Sequence, residues 1–286
     1  MFDRLIILFS FLSLLSSCGL DDNETPIPTY LILKDPKVEA LSIPGGSTHK
    51  ISDVWVYSDG QLQGIFPLPA RVPIISTGQK SEIIILAGIR KNGIFDSPAF
   101  YPFYKSIRQE VTLEPLAEID IPLLFSYADD AKFDIIADFE QVNPLTFDLD
   151  FNPASNLEIT DETAAAGLKC GKAILGGPSS VIEVATAETF NKLSLISGNA
   201  YIEMDYKGQC EIGIGLVTFD DSNPNGQLSY KVVVVPRDNW NKIYVDITEE
   251  LSRPRLASYK LALGFTVPAG KEKAVAYIDN IKLVRF

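Results

Sequence analysis

Histidine is almost missing from this sequence: His49 is the single one in 286 residues. That excludes a multi-histidine metal centre, and any Ser-His-Asp or Cys-His catalysis would have to rest on His49 alone. His49 ends Gly45-Gly46-Ser47-Thr48-His49, a turn before a strand, with no Ser-x-Gly elbow beside it. Positive charge is also scarce. Lys and Arg number 25 against 37 Asp and Glu, a net charge of -12, which leaves no electrostatic footprint for nucleic acid. No window keeps a long 3.6-residue period, and no apolar run reaches the ~20 residues of a spanning helix. A tuned carboxylate pair is not evident either. Asp148 and Asp150 alternate along one strand face, and nothing in Thr146–Phe151 distinguishes them from a solvated face. These gaps point to a protein that binds and does not catalyse.

What is present begins with Met1–Cys18. Arg4 precedes the apolar run Leu5–Leu15, which suits the h-region of a secretory signal and is too short to span a bilayer. Leu15-Ser16-Ser17-Cys18 looks like a bacterial lipobox, which implies cleavage before Cys18 and its lipidation. Two or more acyl chains anchor a protein stably where one does not. Asp21, Asp22 and Glu24 follow, and the cluster resembles the acidic export signal of surface lipoproteins in Bacteroidetes-type bacteria. The resemblance implies an outer-membrane, lipid-anchored protein at the cell surface, the periplasmic face being the alternative. Removal of Cys18 leaves Cys170 and Cys210, both in strand-like runs. They are consistent with a disulfide in an exported protein and equally with two buried free thiols.

From Tyr30 onward short β-rich runs alternate with turns, as in Ser52–Tyr57 and the continuous apolar Ile83–Ile89. The expected fold class is all-β, two β-sandwich domains in tandem. The expected layout is a signal peptide over 1–17, a tether over 18–29, a first sandwich over 30–125, a polar linker over 126–133 and a second domain over 134–286. Pro67, Pro69 and Pro73 belong on an edge or in a loop, and Asn92-Gly93 suits a tight turn. Tyr101, Phe103 and Tyr104 read either as an aromatic contact surface or as packing around prolines.

Asp53–Tyr57, Leu68-Pro69-Ala70, Gly88-Ile89 and Tyr101–Tyr104 together resemble an N-terminal β-sandwich module, immunoglobulin- or transthyretin-like, of Bacteroidetes-type lipoproteins. The second half opens with Asp138-Phe139-Glu140, continues through Gly171–Leu175 and Asn239–Lys242, and closes with Tyr277–Leu283. This order resembles the jelly roll of galactose-binding-like and carbohydrate-binding modules. The resemblance implies a polysaccharide partner and a structural calcium tying the first strand to the last, here through Glu140 and Asp279. Sugar recognition joins aromatic rings to carboxylates and amides in a shallow groove. The candidates are Trp240, Tyr206 and Tyr230, with Asp220, Asp221 and Asn223 in the polar segment 219–226, read as a binding loop or a plain turn cluster. A structural or adhesive surface lipoprotein with a protein partner is the alternative function.

Overall fold

The computed structural model describes residues 27–39, 42–43, 45–177, 179–191 and 198–286. The expected signal peptide, Cys18 and the acidic cluster lie outside the described residues. The described chain is nearly all β, and among those residues no helix is long and apolar enough to cross a membrane. It forms two lobes, each with its own apolar core.

In the N-terminal lobe, Pro28–Leu33 runs antiparallel to Ala70–Ile75 and parallel to Glu118–Asp120. Facing it is a five-stranded sheet centred on Asp53–Ser58 and Lys80–Arg90. Alternation does the work here. Leu31 and Leu33 from one sheet, and Val54, Val56, Ile83 and Ile85 from the other, turn inward and are fully buried, while the residues between them face outward.

The C-terminal lobe is a two-sheet jelly-roll sandwich. One sheet has Lys273–Arg285 at its centre, flanked by Cys170–Gly176 and Lys132–Ala137 on one side and by Ala200–Gly208 and then Arg237–Asp246 on the other. We call it the docking sheet. The second, or open, sheet has Ser258–Thr266 and Glu211–Asp220 at its centre, with Val181–Ala185 and Asn223–Val234 outside them. Ile202, Met204, Ile243 and Ile278 from the first sheet meet Ile212, Ile214, Leu261 and Leu263 from the second.

The segment 126–133, expected to be a polar linker, has structure of its own. Tyr127 is buried and bridges to Tyr104, and Lys132 already begins a strand paired with Arg285. Cys170 and Cys210 are buried and free, each thiol pushed up to about 12 by burial.

Candidate functional site

The docking sheet presents Tyr201, Glu203, Asp205, Lys242, Tyr244, Lys282 and Val284 on its outer face. In an isolated sandwich these polar residues would be solvated. Here the N-terminal lobe covers them, and Tyr201, Tyr244 and Val284 join the N-terminal core. Glu203, Lys242 and Lys282 have side chains at most 1% exposed. The ammonium groups of Lys242 and Lys282 lie 3.1 and 3.2 Å from Glu203 Oε2. From the opposite lobe, Tyr101 donates to Glu203 Oε1 at 2.6 Å and Tyr127 donates at 2.9 Å. Thr48 completes the join. Its hydroxyl accepts from Lys242 Nζ at 2.8 Å and donates to Asp205 Oδ2 at 2.8 Å. Burial alone would push Glu203 up, but the two ammonium charges and the two phenols outweigh it and hold the carboxyl at about 2. Tyr101, Phe103 and Tyr104 are therefore packing residues, wedged edge-on against Tyr201 and one another. His49 lies beside this join, its pKa lowered by burial first and by Lys242 second.

Beyond the covered area the docking sheet keeps an open stripe. Lys172, Tyr277 and Lys207 are cross-strand neighbours, and Lys207 Nζ sits 5.2 Å from both the Trp240 and the Tyr277 ring centroids. Trp240 Nε1 donates to Thr163 Oγ1 at 3.2 Å, and Tyr277 donates to Glu162 at 3.0 Å.

The outer face of the open sheet is not covered by the other lobe. Its middle is lined by small residues: Gly213 pairs with Gly264, and Gly215 with Ala262, which pairs in turn with Ala185. Tyr230 lies across this floor. A Cβ on Gly213 would meet its ring at 2.8 Å, and one on Gly264 would collide with its hydroxyl. The ring is half-buried, and its hydroxyl donates to Glu183 Oε1 at 2.7 Å. Asp150 fixes the same strand by accepting from Glu183 N at 3.0 Å. Phe147, 44% exposed, pairs with Ala185 at the far edge, and Lys260 Nζ stands 4.7 Å from its ring centroid. On this face Tyr230 crosses the glycines, Leu149, Phe219 and Leu228 pack over the fully buried Ala185 and Ala262, and the Lys260 ammonium donates to the carbonyls of Thr186 and Ala187.

The six expected ligand contacts do not converge. Trp240 and Tyr206 belong to the docking sheet; Tyr230, Asp220, Asp221 and Asn223 belong to the open one. Tyr206 is a core residue whose hydroxyl accepts from Asn241 Nδ2 at 3.1 Å. The segment 219–226 is not an extended loop. Strands run through Asp220 and again from Asn223, and Asp220 Oδ1 closes the turn by accepting from Ser222 N and Asn223 N. Asp220 also lines a small cleft of about 320 Å³ with Thr218, Gln227 and Arg255. Glu183, Lys207 and Tyr277 were missed. The legible signal was the glycine pattern on adjacent strands, which marks the close approach of another group.

Glu140 and Asp279 both hold the segment 161–169, but through N–H groups. Asp279 Oδ2 accepts from Ala165 N at 2.9 Å, and Glu140 Oε1 accepts from Leu168 N at 2.8 Å and Lys169 N at 3.2 Å. The Lys169 ammonium donates to the Glu140 carbonyl at 3.2 Å. Calcium needs six to eight oxygens around it. N–H hydrogens and an ammonium occupy those directions here, so this arrangement does not fit the ion. No group of three or more His, Cys, Asp or Glu able to hold a metal occurs among the described residues.

Comparison with solved structures finds carbohydrate-binding modules. A family 30 module is 15% identical over 46% of this chain and 74% of its own, with a TM-score of 0.36. The family 30 module of a cellulosomal cellulase of Clostridium thermocellum is 12% identical over 53% of this chain and 96% of its own, with a TM-score of 0.39. A xylan-binding family 22 domain from Paenibacillus barcinonensis is 16% identical over 52% and 93%, with a TM-score of 0.34. No family model matches the chain, and no curated protein does.

Proposed function

We propose that this protein is an exported, lipid-anchored, non-catalytic binding protein that recognises a glycan on its C-terminal jelly roll. The observation that carries the reading is Tyr230. It is a half-exposed ring packed against Gly213 and Gly264, with its hydroxyl fixed by Glu183 and Phe147 across the same face. A half-exposed ring offers its free side to the apolar face of a pyranose, and neighbouring carboxylates accept from sugar hydroxyls. The Trp240–Lys207–Tyr277 stripe is the second aromatic surface, and it faces the other way from the sandwich. The anchor rests on Leu15-Ser16-Ser17-Cys18, and surface exposure on Asp21, Asp22 and Glu24. The glycan half is tested by titrating a polysaccharide panel against the protein and its Tyr230→Ala variant. Binding to one glycan class that is lost in the variant supports the reading; binding unchanged by the substitution moves the site elsewhere. The anchor is tested by Cys18→Ser, which should move the protein from the membrane to the soluble fraction.

A further inference from the structure

A cleft of about 460 Å³ opens between the two lobes beside the buried join. Its lining comes from both lobes: Lys50, Arg90 and Phe95 from one, and Arg237, Asn241 and Val235 from the other, among its residues. In a chain of net charge -12, no carboxylate lines this cleft among the described residues. The four cations on it differ. Lys242 is neutralised by Glu203 and Asp205 beneath the floor. Arg90 is 22% exposed and held 3.3 Å from the buried Asp53. Lys50 and Arg237, one on each lobe, make no ion pair and no side-chain hydrogen bond among the described residues. Both line a cleft that offers them no carboxylate, so an anion entering it meets cations from both lobes. The walls are otherwise apolar, with Val233 and Val235 more than half exposed and Phe95 80% exposed at the rim. Asn241 is oriented by its bond to Tyr206.

We propose that this inter-lobe cleft is a second binding site, one that takes the carboxylate of a small acidic saccharide. Lys50 and Arg237 clamp the carboxylate, Asn241 reaches the ring hydroxyls, and Val233, Val235 and Phe95 cover the apolar ring face. The volume is within the usual range for small-ligand pockets and too small for a folded partner. Tyr230 does not line this cleft, although Val233 and Val234 lie further along its strand, and the cleft needs both lobes.

The test is calorimetric titration of the full chain with digalacturonic acid, with its neutral counterpart galactobiose, and with inorganic phosphate as competitor. The proposal predicts that digalacturonic acid binds, more weakly as salt is raised, and that galactobiose binds at least about tenfold more weakly. Arg237→Gln and Lys50→Gln should each weaken binding about tenfold or more, as loss of one charge-assisted contact does. Both residues are exposed, so the fold should persist. Tyr230→Ala should leave this binding unchanged, which keeps it separate from the glycan face. Absence of digalacturonate binding, equal binding of galactobiose, equally effective displacement by phosphate, or indifference to both substitutions would each overturn it.

Discussion

A buried carboxylate needs compensation, and Glu203 receives it from both lobes. The carboxylates of Glu203 and Asp205 balance the ammonium groups of Lys242 and Lys282, so the join is neutral as a whole. Removing one member leaves the others uncompensated, which typically costs about 3–5 kcal/mol. Glu203→Gln should therefore destabilise the protein by roughly that amount in urea unfolding; a loss within experimental error would mean the charges are not buried together. The pH dependence has two parts of opposite sign. Glu203 is held at about 2, below its ordinary 4.5, so its contribution is present above 4.5 and lost as pH falls through 2. Asp279 is raised to about 7, chiefly by burial with the Asp205 charge adding and its N–H donors opposing. Its contribution is full below the ordinary 3.8 and lost as pH rises through about 7. Stability should then decline between about pH 4 and 7 in the native protein and level off above that, and Asp279→Asn should flatten that slope. A slope untouched by the substitution would remove Asp279 as its origin.

At the scale of strands, the open sheet shows how small residues make room for a ring laid across neighbouring strands. Gly213, Gly215, Gly264 and Ala262 occupy outward positions of the two central strands, Ala185 the neighbouring position on the next strand, and the Tyr230 ring crosses the glycines. A methyl group at position 264 would occupy the place of the Tyr230 hydroxyl. Gly264→Ala is expected to lift the ring, break its bond to Glu183 and lower glycan affinity about tenfold while thermal stability changes little. This rests on stacking and one charge-assisted hydrogen bond together contributing about 1–3 kcal/mol. Unchanged affinity would show that the Tyr230 ring is not the contact. Much of this level was legible beforehand. The two-residue alternation in Asp53–Ser58 marks a half-buried strand, and the continuous apolar stretch around Ile83 marks a central one. The stretch 219–226 was harder, because Asp, Ser, Asn and Pro suit both a loop and a turn. What decides it is Asp220 Oδ1 bonding to the N–H groups of Ser222 and Asn223, a contact that composition alone does not specify.

The whole molecule depends on contacts that no local pattern announces. Tyr201, Glu203, Asp205 and Lys207 alternate outward like any solvated strand face; the first three are buried because a second lobe lies on them. Thr48 and Tyr101 reach residues more than a hundred positions away, and Tyr127 one 76 positions away. For the same reason, Glu140 and Asp279 were expected near each other from the first and last strands of the domain, but not as acceptors of N–H groups from the segment 161–169. The shared join also makes the lobes unfold together: heating should give one transition, and Lys242→Met should shift it as a unit rather than release one lobe early. The central claim is that a glycan binds the open sheet's outer face. Its most direct test is calorimetric titration of the polysaccharide class selected from a panel, against the native protein, Tyr230→Ala and Glu183→Gln. The account predicts saturable binding without turnover, weakened tenfold or more by each substitution with the fold intact. A glycan that binds all three proteins equally, or a panel in which none binds, would contradict it.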